Sequence, residues 1–158
     1  MPEKSVFPEE DGKMREDSKV VFSSSSDEYS TPEDLFRSLD SEFHFTLDPC
    51  ATDNNRKCER YFTKDQNGLD QNWGGERVFC NPPYSKISDW VRKCYEESLK
   101  DGTLVVMLIP SRTDTKYFHD YILHRSEIRF IKGRLTFGEE KYHAPFPSMI
   151  VIFRAARM

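Results

Sequence analysis

The chain has 158 residues, about the length of one domain. It carries 23 Lys and Arg against 27 Asp and Glu, a net charge of -4, with 37% hydrophobic and 13% aromatic residues. So many aromatics exclude a wholly disordered chain, no apolar run approaches the roughly 20 residues that span a bilayer, and the acidic balance taken alone argues against a nucleic-acid binder.

Residues 1–28 combine Pro, Glu, Asp and Lys with the run Ser23-Ser24-Ser25-Ser26. Such a segment buries too little to offset its ordering entropy, so a disordered acidic tail is expected, followed by one compact domain over 29–158. Its start, MPEKSVFPEEDGKMRED, has no apolar core of a secretory signal, and a cytoplasmic protein is expected. Cys50, Cys58, Cys80 and Cys94 form no CxxC pair and have no histidine at zinc-finger spacing. Independent reduced thiols and no metal are expected.

Thr31-Pro32-Glu33-Asp34 reads as a helix start, with Thr31 as N-cap, Pro32 at N1 and acids near the positive helix end. Leu35, Phe36, Leu39 and Phe43 then share one face. The alternation from Phe43 to Leu47 predicts a strand running into Asp48-Pro49, and Arg60–Thr63 a short strand. Arg77–Cys80 reads as a strand stopped by Asn81-Pro82-Pro83, since two prolines cannot continue a central ladder. Ser88-Asp89 opens a helix bearing Trp90, Val91, Cys94, Tyr95 and Leu99, with Gly102 as its C′ residue. Thr103–Ile109, nearly all apolar, predicts a strand covered on both faces and ended by Pro110. A helix with Tyr117, Phe118, Tyr121 and Ile122 follows. Strands are expected at Glu127–Ile131 and Met149–Arg154, with a basic, aromatic hairpin and loop over Lys132–Ser148.

Strands alternating with helices predict an α/β sandwich with a mainly parallel sheet and an antiparallel strand at an edge near the C-terminus. Ligands of such sheets bind beyond the carboxyl ends of the strands. Asp48 and Asn81, both at predicted strand ends, are therefore expected on one rim, facing one crevice.

Asn81-Pro82-Pro83-Tyr84 is the most informative run. Asn81 offers a side-chain carbonyl acceptor, and Pro82 keeps its carbonyl while lacking an N–H. Two prolines stiffen the turn, so both acceptors are held with little entropy left to lose. Tyr84 adds a flat face. Two adjacent acceptors and a stacking ring suit a planar ligand with an exocyclic NH₂, whose lone pair they would localise on nitrogen for nucleophilic attack.

The tetrapeptide resembles the catalytic motif of amino-methyltransferases that use S-adenosylmethionine. The likeness extends over residues 27–154 to the phage-type DNA N6-adenine methyltransferase (Dam) family. It is carried by residues 27–32 (Asp-Glu-Tyr-Ser-Thr-Pro), 45–52 (Phe-Thr-Leu-Asp-Pro-Cys-Ala-Thr), 77–85 (Arg-Val-Phe-Cys-Asn-Pro-Pro-Tyr-Ser), 108–115 and 130–137. The resemblance implies a Rossmann-like class I methyltransferase sandwich. It implies an enzyme that flips adenine out of double-stranded DNA and transfers a methyl group from S-adenosylmethionine to N6 in line. Asn81, Pro82, Pro83 and Tyr84 would be catalytic, with Tyr84 stacked on the base and no metal needed. Cofactor residues would be Thr31, Pro32, Asp48, Pro49 and Ala51, with Asp65 and Asp70 toward its ribose and adenine. The usual glycine-rich turn after Asp-Pro is replaced by Cys50-Ala51-Thr52, so the excursion between Asp48 and Asn81 must be trimmed. Arg112, Lys132, Arg134, Phe137 and Lys141 are candidates for DNA contact. RNA adenine or protein glutamine as substrate, and a non-catalytic DNA- or cofactor-binding relative, are the alternatives.

The charge does not oppose a DNA substrate. Residues 1–28 hold four basic and eight acidic residues, hence the entire net charge. The remainder balances, and from Asp101 onward basic residues exceed acidic ones, nine to six.

Overall fold

A computed structural model describes residues 30–137 and 142–155. The expected tail over 1–28 lies outside the described residues. Helix α1 spans Glu33–Phe43 and α2 spans Ile87–Ser98. Strands are β1 (Leu47–Asp48), β2 (Arg60–Tyr61), β3 (Arg77–Cys80), β4 (Leu104–Pro110), β5 (Glu127–Phe130), β6 (Thr136–Phe137), β7 (Tyr142–His143) and β8 (Ser148–Arg154). Six of them form one sheet in the order β2-β1-β3-β4-β8-β5, and β6 pairs with β7 separately. Pairing is parallel from β2 through β4, while β8 runs antiparallel to both β4 and β5. The antiparallel strand is thus internal rather than at the edge, because β5 adds outside it.

Alternation on the central strands separates two apolar layers. Val105, Met107 and Ile109 of β4, with Met149, Val151 and Phe153 of β8, join Trp90, Val91 and Cys94 of α2 on one face. Val106, Leu108, Ile150 and Ile152 point the other way and meet Phe36, Leu39 and Phe43 of α1. A period of two in the strands and of 3.6 in the helices therefore builds a three-layer α/β domain. Each fully buried Val, Leu, Ile or Met contributes about 1.5–3 kcal/mol.

Several local expectations are corrected. Helix α1 starts one residue later than predicted, with Pro32 at the N-cap position and no side-chain cap. Phe43 belongs to the helix, not to a strand: His44 takes a left-handed conformation (φ 55°) and turns the chain, leaving β1 only two residues. Helix α2 ends at Ser98, and Gly102 (φ 71°) serves the following turn rather than the C′ position. The helix expected around Tyr117–Ile122 is a single π-type segment over Phe118–Ile122. Its N–H of Leu123 bonds to the carbonyl of Phe118, and His124 (φ 66°) stops it there.

The short strands β1 and β2 are secured by side chains. Thr46 Oγ1 donates to Glu76 Oε1 (2.7 Å) and accepts from the N–H of Arg77 (2.9 Å), and Arg60 pairs with the same Glu76. On the opposite side of the chain, Glu97 is buried at 5% exposure. It accepts from the N–H of Trp73 (2.7 Å), from Lys93 Nζ (3.0 Å) and from Lys100 Nζ (2.8 Å). Burial pushes this carboxyl upward, but the Lys100, Trp73 and Lys93 donors outweigh it and hold it below the usual range. Glu97→Ala removes the acceptor for a buried N–H and a largely buried ammonium, and is expected to destabilise by about 2–4 kcal/mol. Lys100 is half exposed and adds little. Urea unfolding at pH 7 checks this; a loss under about 1 kcal/mol would contradict it.

Candidate active site

Beyond the carboxyl ends of β1 and β3 lies a cavity of about 460 Å³. From β1 the chain goes outward to β2, then returns across it to β3, so the direction of winding reverses between β1 and β3. Crevices in open α/β sheets form at such a switch point. Asp48, the last residue of β1, and Asn81, the first after β3, both line the cavity, at the ends of adjacent strands.

Asp48 is 5% exposed. Its Oδ2 accepts from the N–H of Lys57 (3.0 Å) and its Oδ1, more weakly, from that of Cys50 (3.4 Å). Burial pushes its pKa up to about 6, against the pull of these two N–H groups and the nearby Lys57 ammonium. A carboxylate has about four acceptor positions, so capacity remains for a donor in the cavity, and a cationic donor would relieve the desolvated charge.

Asn81 is half-buried, and its Nδ2 donates to Thr31 Oγ1 at 2.9 Å. Its backbone carbonyl accepts from the thiol of Cys50 (3.2 Å). Cys50 Sγ is also 3.7 Å from Cys80 Sγ, and Cys94 adjoins Cys80. The thiols are therefore not independent as expected: Cys80 neighbours both Cys50 and Cys94. Burial pushes all three upward in pKa, so they stay protonated. Pro83 lines the cavity, Pro82 is buried, and Tyr84 opens a 3₁₀ turn over Tyr84–Lys86. The Tyr84 ring stands edge-on to Phe146 (5.4 Å, 76°), and the Arg112 guanidinium lies 5.9 Å over that same Phe146 ring.

A family model described as DNA N-6-adenine-methyltransferase (Dam) matches residues 18–158. The chain belongs to this family. It is 33% identical over 138 residues to a DNA N-6-adenine-methyltransferase of Haemophilus phage HP1 (strain HP1c1), covering 82% of this chain and 80% of the relative. It is 30% identical over 112 residues to a protein of the same description from Escherichia phage T1, covering 70% of this chain and 47% of the relative. The chain thus spans about half the length of the T1 protein.

Within this Dam-family chain, the residues singled out in the sequence fall in three groups. Thr31, Asp48, Pro49, Ala51, Asp65, Asn81 and Pro83 line the one cavity. Pro32, Pro82 and Tyr84 adjoin that lining in sequence without belonging to it. Asp70 also lies outside it; its Oδ2 accepts from Asn67 Nδ2 (2.9 Å). Of the DNA candidates, Arg112 is linked to the Asn81–Tyr84 turn through Phe146. Arg134 Nη1 donates to the carbonyl of Ala144 (3.4 Å), and Lys132 is exposed. The side chain of Phe137 and the whole of Lys141 lie outside the described residues. Among the described residues no three His, Cys, Asp or Glu side chains converge as a metal site, and no helix is long and apolar enough to cross a membrane.

Sequence reading missed the floor of the cavity. The 3₁₀ turn Gly68–Asp70 follows Asn67, which is left-handed (φ 55°) and accepts the N–H of Leu69 on its own Oδ1. Gly68 packs so closely that a Cβ would stand 2.1 Å from the Pro49 carbonyl oxygen and 3.1 Å from the Trp90 ring. Its carbonyl accepts from Trp73 Nε1 (3.0 Å), which pins the turn from below. The Asn67-Gly68 dipeptide signals a turn, but nothing in the sequence ties it to Pro49. Gly68→Ala must displace backbone on one side or the other. The expected result is a loss of about 1–3 kcal/mol in stability, with weakened ligand binding in the cavity, read by thermal melts and calorimetry. Unchanged values for both would contradict this packing.

Proposed function

We propose that this Dam-family chain transfers a methyl group from S-adenosylmethionine to adenine N6 in double-stranded DNA. The observation that carries the reading is that Asn81, at the head of Asn-Pro-Pro-Tyr, and the buried Asp48 line one switch-point cavity from the ends of adjacent strands. We read the sheet, with its single antiparallel strand near the C-terminus, as a trimmed Rossmann-like class I methyltransferase sheet. Residues 49–76 replace the usual helical excursion with β2 and the Gly68 turn.

The cavity residues fit the cofactor. Asp48 is a buried carboxylate held near pH 6 by its surroundings, and a ligand ammonium is the partner that relieves it. The start of α1 at Thr31-Pro32 carries no side-chain cap, which suits a ligand carboxylate. Pro49 and Ala51 form the wall backed by Gly68, and Asp65 serves the ribose hydroxyls. Asp70, turned to Asn67, acts on the adenine subsite only through that neighbour. Bound S-adenosylmethionine supplies an electrophilic methyl group on a sulfonium.

Asn81 Oδ1 and the Pro82 carbonyl accept the two hydrogens of the target amine, which concentrates its lone pair on nitrogen. The stiff Pro82-Pro83 pair keeps both acceptors in place before the base arrives, so little reorganisation is needed. Tyr84, backed by Phe146, stacks on the flipped adenine, whose extrusion takes a few kcal/mol. Arg112, beside Phe146, and Lys132, Arg134, Phe137 and Lys141 contact DNA around the extruded base. The near-neutral domain implies modest nonspecific hold on DNA at physiological salt. The phage origin of its relatives supports the bacterial host cytoplasm as its site of action.

The test is product identification. Wild-type protein is incubated with labelled S-adenosylmethionine and unmethylated DNA, RNA or protein extract, and the product is hydrolysed. N6-methyldeoxyadenosine is expected. Label found only in RNA adenine or in glutamine, or cofactor binding without transfer to any acceptor, overturns the proposal.

A further inference from the structure

Thr31 is 6% exposed, yet it caps no helix: α1 has Pro32 at its N-cap position and no side-chain cap. Its hydroxyl instead reaches a residue fifty positions away, accepting from Asn81 Nδ2 at 2.9 Å. A primary amide carries its acceptor and its donors on opposite branches of one carbon, and the torsion that exchanges them is broad and two-fold. A hydroxyl can accept from the amide nitrogen or donate to the amide oxygen; in this structure it accepts from Nδ2, and Oδ1 is turned away from Thr31. For the chemistry this orientation decides the outcome. With the amide reversed, the NH₂ of Asn81 would confront the NH₂ of the base, donor against donor. Resting on the function proposed above, we propose that Thr31 is a positioning residue: accepting from Nδ2, its hydroxyl tethers the Asn81 side chain in the torsion that presents the carbonyl oxygen to the target amine.

Thr31→Val keeps the branched shape and removes the hydroxyl; Thr31→Ser keeps the hydroxyl. We expect Thr31→Val to lower kcat by about 10²-fold, the scale of a misplaced catalytic group. The calorimetric affinity for S-adenosylhomocysteine should fall far less than kcat, because the helix start would meet the ligand carboxylate through backbone N–H groups that the substitution keeps, and Thr31→Ser should restore the rate. In an Asn81→Ala background, Thr31→Val should bring no further loss in kcat, because the two act as one unit. The Asn81 Nδ2 protons, followed by NMR in ¹⁵N-labelled protein, should shift in Thr31→Val and not in Thr31→Ser. If Thr31→Val fails to fold, Thr31→Ala carries the same expectations.

Equal kcat for wild type and Thr31→Val overturns the inference. So does a loss of cofactor affinity at unchanged kcat, which would make the hydroxyl a cofactor ligand. A Thr31→Ser variant as slow as Thr31→Val also overturns it, since packing rather than the hydroxyl would then matter. Wild-type protein that methylates no DNA adenine overturns the proposed function instead, and the Asn81 resonances then decide the orientation on their own.

Discussion

Asn81→Ala is expected to lower the rate of methyl transfer by about 10³-fold, the upper end for deleting one preorganised polar group at a reacting centre. Alanine leaves one hydrogen of the target amine without its acceptor, so the lone pair is no longer concentrated on nitrogen. The Pro82 carbonyl remains and gives a residual rate. The substitution is expected to leave the fold intact, because Asn81 is half-buried on the rim and its amide bonds to Thr31 rather than to the core. Cofactor affinity should stay close to wild type, since the ligand ammonium is assigned to Asp48 and not to Asn81. Initial rates with labelled cofactor, alongside calorimetry with S-adenosylhomocysteine, separate the two quantities. Activity retained within tenfold of wild type would remove Asn81 from the chemistry.

Cofactor affinity is expected to rise about tenfold per pH unit up to pH about 6 and then level, following ionisation of Asp48. The carboxyl must be charged to accept from an ammonium, and burial holds it protonated below that pH. Binding at pH 5 should therefore release a proton, and binding at pH 8 should release none from this group. Stability of the free protein runs the opposite way. The folded pKa of about 6 exceeds the ordinary aspartate value of 3.8, so between these values the folded state binds more protons than the unfolded one. The Asp48 contribution is then greatest in acid and falls by about 3 kcal/mol as pH rises through this window. An ammonium placed on Asp48 offsets that loss. Asp48→Asn should flatten the affinity profile and weaken binding at pH 7 by about 2 kcal/mol, roughly 30-fold. Calorimetry across pH 5–8 in buffers of different ionisation enthalpy reads both affinity and proton release. A wild-type profile already flat across this range would dissociate Asp48 from the ligand.

The two motifs were legible because their chemistry is local. Asn81-Pro82-Pro83-Tyr84 announces a rigid pair of acceptors at a strand end in four consecutive residues, and β3 ends at Cys80 as the prolines require. The apolar strand before Pro110 was legible for a similar reason, since burial on both faces leaves a continuous apolar run. The short elements were not. Phe43 to Leu47 alternates like a strand, yet Phe43 is buried by α1 and the turn at His44 is set by backbone geometry. The π-type segment at Phe118 likewise follows from packing against the sheet and α2, which no periodicity encodes.

Sequence by itself determined the layers of this protein, the presence of a rigid Asn-Pro-Pro turn at a strand end, and the confinement of its net charge to residues 1–28. These depend on side-chain period, proline stereochemistry and residue counts, all properties of neighbours along the chain. Tertiary structure decided what the rim residues do to one another. It placed Thr31 on the amide of Asn81, buried Asp48 until its pKa rose to about 6, and pressed Gly68 against Pro49. Those outcomes depend on dehydration and on contacts between distant segments, and they arise only when β1 and β3 are brought side by side.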